Sequence, residues 1–300
     1  MICLFQRGKS KQKRKILLFM IKENSLYFYV VIIFWIGFQS LAYAVQYITE
    51  DAETTEVKHV EFNPYVYEIN IKDFNFFEAP AMETNAGIFT DFQGHLITYG
   101  AFFSPRQGPQ AYGYADTELG IKYRFIHETD TMPQIAFYPK ITLPTGSGKR
   151  GIGYGGPTET PALWFLKTMG SWKISGGGGY TLIQAPNTFN FAFGGILLQW
   201  EVIKDFTLGS EFYGQGRSLT NYGSTGLLTL GATYNFTKTF ALQVSVGHSV
   251  AGAETLTSSV GLDWTWGPDK PQKPSESKDN SSKQLTSSEL KEGPCMAPHE

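Results

Sequence analysis

A chain of 300 residues leaves room for one large domain or two small ones. It is 42% hydrophobic and only 17% charged, and its mean hydropathy of −0.19 excludes a bundle of apolar transmembrane helices. The net charge of −2 comes with no basic face of the kind nucleic acid requires.

The N-terminus reads as an export address. Arg7, Lys9, Lys11, Lys13, Arg14 and Lys15 form a basic region, Leu26 to Phe38 is an unbroken apolar run, and Ala42-Tyr43-Ala44 supplies a small-x-small cleavage site. Spanning a bilayer takes about 20 apolar residues, and Lys22 and Glu23 interrupt any longer run. The expectation is a signal peptide over residues 1–44, cleaved after Ala44, with either Met1 or Met20 as its start. Cys3 then leaves with the signal, Cys295 stays as a lone thiol, and no cysteine follows the apolar run to carry a lipid anchor.

Beyond Ala44 the hydrophobic pattern has period two, not 3.6. Strands are expected near 57–69, 81–92, 95–103, 114–126, 134–143, 159–168, 171–183, 189–200, 206–214, 225–236, 239–249 and 256–266. In 117–125, Leu119, Ile121, Tyr123 and Phe125 fall on one face, and Glu118, Gly120, Lys122 and Arg124 on the other. The intervening segments alternate in length. The longer ones, such as 70–80, 104–113, 144–158 and 215–224, follow odd-numbered strands. The short ones, such as Gln93-Gly94, Gly170 and Thr237-Lys238, follow even-numbered strands. Long loops on one side and short turns on the other suit a membrane barrel with an even strand number. The expected class is all-β: a transmembrane antiparallel up-and-down barrel of about twelve strands over residues 45–266. High glycine (32) and aromatic content (15%) agree, since glycine permits close strand contacts and aromatics form interfacial girdles.

The last strand ends Leu262-Asp263-Trp264-Thr265-Trp266, an aromatic-ended closing strand of the kind that barrel-assembly machinery takes as a partner. Residues 267–300 are rich in Pro, Ser, Lys and Glu with almost no apolar side chains, and are expected to form a disordered periplasmic tail.

Several segments resemble a known family. They are Gly113-Tyr114-Ala115-Asp116-Thr117-Glu118-Leu119-Gly120-Ile121-Lys122-Tyr123-Arg124-Phe125, then Pro133 through Leu143-Pro144-Thr145-Gly146, then Trp172 through Tyr180, then Leu208-Gly209-Ser210-Glu211. In order and spacing they resemble the outer-membrane transporter family linked to meta-pathway phenol degradation. Ala115 stands where that pattern has glycine, and the tail is extra. The resemblance implies an outer-membrane barrel that passes small molecules, and does not establish an aromatic substrate.

Parity selects the candidate lumen residues: Asp116, Glu118, Lys122 and Arg124 on one strand, Lys140 on the next, and Glu211 and Asp263 further on. A lysine or arginine facing lipid at mid-depth costs about 2–4 kcal/mol, so these charges are expected to point inward. They either set the selectivity of a channel or close the lumen by mutual ion pairing. Tyr138 and Tyr213 are the clear aromatics on the same parity. Gly146-Ser147-Gly148-Lys149-Arg150-Gly151 fits a dinucleotide fingerprint by letter, but no helix follows, and 144–158 reads as a mobile exterior loop. His59, His95, His127, His248 and His299 lack metal-ligand spacing, and Ser245 and His248 have opposite parity, which disfavours a rim-located lipid hydrolase. The sequence therefore calls for no cofactor, metal or catalytic residue. Its expected partners are outer-membrane lipid, the assembly machinery and a small solute. The leading function is a channel for small, hydrophobic or aromatic molecules. The alternatives are a non-conducting surface barrel and, third, an enzyme acting on envelope lipids.

Overall fold

The computed structural model describes residues 47–253 and 255–268, so the expected signal peptide, the Ala44 cleavage site and the tail beyond residue 268 lie outside the described residues. Twelve strands form one antiparallel sheet. They are β1 (Val60–Ile71), β2 (Phe74–Phe89), β3 (Phe92–Pro105), β4 (Ala111–Tyr114 and Thr117–Ile126), β5 (Gln134–Phe137 and Lys140–Leu143), β6 (Thr158–Thr160 and Ala162–Met169), β7 (Trp172–Ile183), β8 (Phe191–Ile203), β9 (Phe206–Gln215), β10 (Thr225–Asn235), β11 (Phe240–Gly252) and β12 (Thr255–Trp266). Each pairs with its chain neighbour. β1 also pairs with β12, from Val60↔Trp266 to Ile71↔Thr255, which closes the barrel and leaves no free edge.

Alternation decides which side faces out. Leu119, Ile121, Tyr123 and Phe125 are 38–50% exposed, while Lys122 between them is buried. An apolar outside around a polar inside inverts the soluble pattern and suits a barrel whose solvent is lipid. Aromatic pairs sit near the ends of outward faces: Trp172 stacks on Trp200 at 5.3 Å, and Trp264 lies 4.6 Å from Trp266. Among the described residues, no helix is long and apolar enough to cross a membrane, which says nothing against a barrel.

Three strands are broken where the chain cannot continue the ladder. Pro139 in β5 and Pro161 in β6 have no N–H to donate. Their carbonyls still accept from the neighbours, Ile121 N–H at 3.2 Å and Tyr180 N–H at 3.1 Å, so the wall stays joined across both gaps. The break in β4, at Ala115-Asp116, has another purpose, described below.

Two expected boundaries are corrected. Residues 70–80 are not a long loop: the chain turns at Lys72-Asp73 and β2 starts at Phe74. Pro80 disguised this strand, and the register does shift between Glu78 and Ala81. Likewise the next turn is Thr90-Asp91, not Gln93-Gly94. Asp91 takes the left-handed conformation there, with φ 63°, and Gln93 points into the barrel. We call the end with 90–91, 127–133, 170–171, 204–205 and 236–239 the turn end. The opposite end, with 106–110, 144–157, 184–190 and 216–224, is the loop end. Two further connections depart from the segregation: 253–254 at the loop end is as short as a turn, and 127–133 at the turn end is as long as 184–190.

Candidate functional site: an occupied lumen

The main departure from sequence expectation precedes β1. Residues 47–59 do not lie outside the barrel or extend its first strand; they run through its interior. The segment is pinned at the rim, where Lys58 N–H donates to the Gly87 carbonyl at 2.9 Å and Gly87 N–H donates to the His59 carbonyl at 3.0 Å. Farther in, Thr55 N–H donates to Gln93 Oε1 at 2.8 Å. Farther still, Thr49 N–H donates to Glu211 Oε1, and Thr49 is 4% exposed. The wall makes room with glycine. A methyl on Gly195 would collide with Thr49, and one on Gly209 or Gly231 with the Tyr47 hydroxyl.

Ion pairs hold the segment. Lys122 Nζ lies 3.5 Å from Glu50 and 3.8 Å from Asp51. Lys140 Nζ lies 2.9 Å from Glu118 and 3.6 Å from Glu50, and Lys173 Nζ lies 3.4 Å from Glu53. Lys122 and Lys140 also sit over the ring of Tyr138, at 4.6 and 5.2 Å. Burial raises the Glu50 carboxyl, but the two lysines, with His95, outweigh it and hold it below its ordinary value. Burial also raises the Asp51 carboxyl, and there the pull of Lys122 is too weak to reverse it.

The seven expected lumen residues divide accordingly. Glu118, Lys122, Lys140 and Glu211 come together around Tyr138 and the inner segment. Glu118 also approaches His95 Nε2 at 3.3 Å, and His95 is held through Nδ1 by Asn85 Oδ1 at 2.8 Å. Asp263 lines the space at the turn end, on the far side of the segment. Arg124 instead braces the wall: it donates to Asp91 Oδ1 at 2.6 and 2.9 Å and to Gln134 Oε1 at 3.0 Å. Asp116 is spent on a loop. The break in β4 turns its carboxylate toward 144–157, where Oδ1 accepts from Gly146 N–H at 2.8 Å and Oδ2 from Tyr154 N–H at 2.7 Å. That loop, expected as a mobile exterior one, is tied to the wall through Asp116. Ile152, 2% exposed, folds in against Ala101, Ala111 and Ala115, with Phe76, Tyr99 and Phe103 around it.

Those contacts belong to an apolar tier in the loop-end half of the lumen. Trp164 lies 6.1 Å from Phe193, which lies 6.3 Å from Tyr213. Trp164 and Tyr213 are 3% and 7% exposed. Sequence parity had offered only Tyr138 and Tyr213 here. It missed Phe76 because 70–80 read as a loop, and passed over Tyr99, Phe103, Trp164 and Phe193, whose parity already placed them inward. Two spaces remain beside the inner segment: a vestibule of about 870 Å³ at the turn end and a chamber of about 280 Å³ deeper in.

A family model described as "Putative MetA-pathway of phenol degradation" matches residues 83–263. The chain belongs to this family. The match spans β3 to β11 with the second half of β2 and most of β12, so the family pattern is carried by the wall and begins after the inner segment. Among solved structures, the COG4313 outer membrane channel from Pseudomonas putida F1 is similar at a TM-score of 0.61 and 12% identity, over 74% of this chain and 100% of that one. It shows the same barrel fold. The translocator domain of the autotransporter NalP from Neisseria meningitidis reaches a TM-score of 0.48 at 10% identity, over 71% of this chain and 90% of that one. The KdgM porin in complex with disordered oligogalacturonate reaches 0.46 at 11% identity, over 69% and 99%. No curated protein matches the chain.

Proposed function

We propose that the protein is a passive outer-membrane channel for small hydrophobic or aromatic solutes, with residues 47–59 acting as a plug. The observation that carries this reading is the inward apolar tier of Tyr99, Phe103, Trp164, Phe193 and Tyr213 inside a closed barrel. Aromatic side chains turned away from lipid make this half of the interior apolar, and an apolar solute gains by leaving water for such surroundings. The solved structure similar to this chain at a TM-score of 0.61 is titled a channel, which supports the same reading.

On this reading the chain is exported, loses residues 1–44 after Ala44, and meets the assembly machinery through the strand ending in Trp264 and Trp266. The turn end then faces the periplasm, the outward apolar band is covered by lipid, and residues 267–300 extend into the periplasm as a tail. Ser245 lines the inner chamber while His248 is exposed on the opposite face, so this pair supports no hydrolase. The contrasting reading, a non-conducting surface barrel, draws on the plug itself.

Liposomes carrying the purified protein test the choice. Swelling in small solutes faster than empty liposomes, increased further by removing residues 47–58, is the expected result. Swelling no faster than empty liposomes for both proteins would reject the channel and leave the surface barrel.

A further inference from the structure

The chamber beside the plug has a chemical bias that its ion pairs conceal. It is lined by Glu50, Glu78, Glu83, Glu118 and Glu211, with Lys140 as its one cation. Lys140 is already committed to Glu118 and Glu50, at 2.9 and 3.6 Å. The cations that line the vestibule are engaged too: Lys122 with Glu50, Lys173 with Glu53, and Arg124 with Asp91. Among the described residues, every lysine and arginine lining either space is already ion-paired.

The carboxylates differ. Glu78 forms no ion pair among the described residues; its Oε2 accepts only from the Tyr65 hydroxyl, at 3.0 Å. Glu211 is fully buried, lines the chamber, and has one oxygen, Oε2, with no hydrogen-bond partner among the described residues. Burying a carboxylate oxygen without a donor is costly, and a donor supplied from outside relieves that cost. Tyr65 and Tyr67 line the same chamber, and their ring faces attract a cation further.

We propose that this chamber recognises an organic ammonium head group, with Glu211 and Glu78 as its acceptors, so that the protein takes cationic amphiphiles and turns away small organic anions of equal size. The apolar body of such a molecule suits the aromatic tier. The inference deepens the channel reading and rests on it for its transport consequence; recognition in the chamber stands separately.

The probes are benzylammonium, which is a cation with three N–H donors at pH 7, and benzenesulfonate, which shares the ring and carries the opposite charge. Purified full-length protein in lipid nanodiscs is titrated with each while the heat of binding is recorded. The ammonium should bind at least about tenfold more tightly, in keeping with the focusing of one sign of charge inside a low-dielectric cleft. Glu78→Gln combined with Glu211→Gln should erase that preference, and Glu78→Gln alone should weaken it if the double variant does not fold. Equal affinities, tighter benzenesulfonate or no binding of either would overturn the proposal. Current through planar bilayers separates it from the channel reading. A protein that prefers the ammonium but conducts no ion, even without residues 47–58, retains the recognition site and loses the channel.

Discussion

The two halves of the lumen are built on opposite principles. Toward the loops, inward positions hold Tyr99, Ala101, Phe103, Trp164 and Phe193, and a loop folds Ile152 onto the first three. Toward the turns, inward positions hold Asn85, Gln93, Lys122, Gln199 and Asp263, and the space is filled by a charged segment from the chain's own N-terminal side. The first half is held by apolar packing. The second is occupied through hydrogen bonds and ion pairs that water and salt can replace. A single strand crosses both regimes: β3 goes from Gln93 and His95 to Ala101 and Phe103 along one face. What a barrel passes therefore depends on depth as well as on strand number.

The largest expected effect comes from emptying the polar half. Deleting residues 47–58 should raise single-channel conductance by roughly twofold or more, because the segment and its counter-charges leave the lumen. Gly209→Leu, which places a side chain where Tyr47 sits, should raise it in the same direction in the full chain. Unchanged conductance in both would show that the segment does not obstruct flow.

Next comes the pair that holds it. Lys122→Gln leaves the Glu50 and Asp51 carboxylates without their nearest cation, and should cost up to about 3 kcal/mol of stability in urea unfolding. Glu50→Gln should cost less, since its side chain is 28% exposed against 6% for Lys122. The double variant should cost less than the two together; simple additivity would mean the pair is not coupled.

The pH dependence follows from the same pair. The Glu50 carboxyl lies below its ordinary value when seated, so seating gains from it above the free value of about 4.3. That gain disappears as pH falls through the lowered value. Asp51 is raised, so its protonation works in the opposite sense. Conductance should therefore increase on the acid side in the wild type, with that increase missing from Glu50→Gln. Identical acid profiles would remove Glu50 from the mechanism.

The smallest effect should come from the apolar half. Asp116→Asn exchanges one acceptor for an amide that faces a backbone N–H, at a cost of about 1–3 kcal/mol. It should release the 144–157 loop to proteolysis and leave ion preference unchanged. A protease-resistant loop would mean that Ile152, with the bonds from Thr145 to the Ala115 carbonyl and from Arg150 to the Tyr112 carbonyl, anchors it without Asp116.

Much of the wall was legible because a membrane barrel obeys period two more strictly than a soluble sheet does. The clean alternation in 117–125 and 256–266 placed β4 and β12 and set the inward direction of Glu118 and Lys122, and parity within 134–143 and 206–214 set that of Lys140 and Glu211. It failed where the chain carried a local irregularity: Pro80 turned a strand into an apparent loop, and the break at Asp116 gave an inward residue a loop to hold. The plug was not legible, because residues 47–59 have no period and make sense only against distant partners. Two signals pointed to it. Glu50, Asp51, Glu53 and Glu56 cluster just after the expected cleavage site, and the inward faces of β8, β9 and β10 carry Gly195, Gly209 and Gly231 where side chains would otherwise fill space.

The rim contact at Gly87 also sets a mechanical limit. Val57, Lys58 and His59 are bonded to β2, so a displaced segment stays attached there and pivots. With residues 1–44 removed as proposed, residues 45–56 lie beyond that pivot, and a fully extended chain covers about 3.4 Å per residue, a radius on the order of 40 Å. The segment is thus a tethered arm. When out of the lumen it sweeps a bounded volume beneath the barrel, and its own mouth remains within reach, so reclosing is an intramolecular event that does not depend on protein concentration.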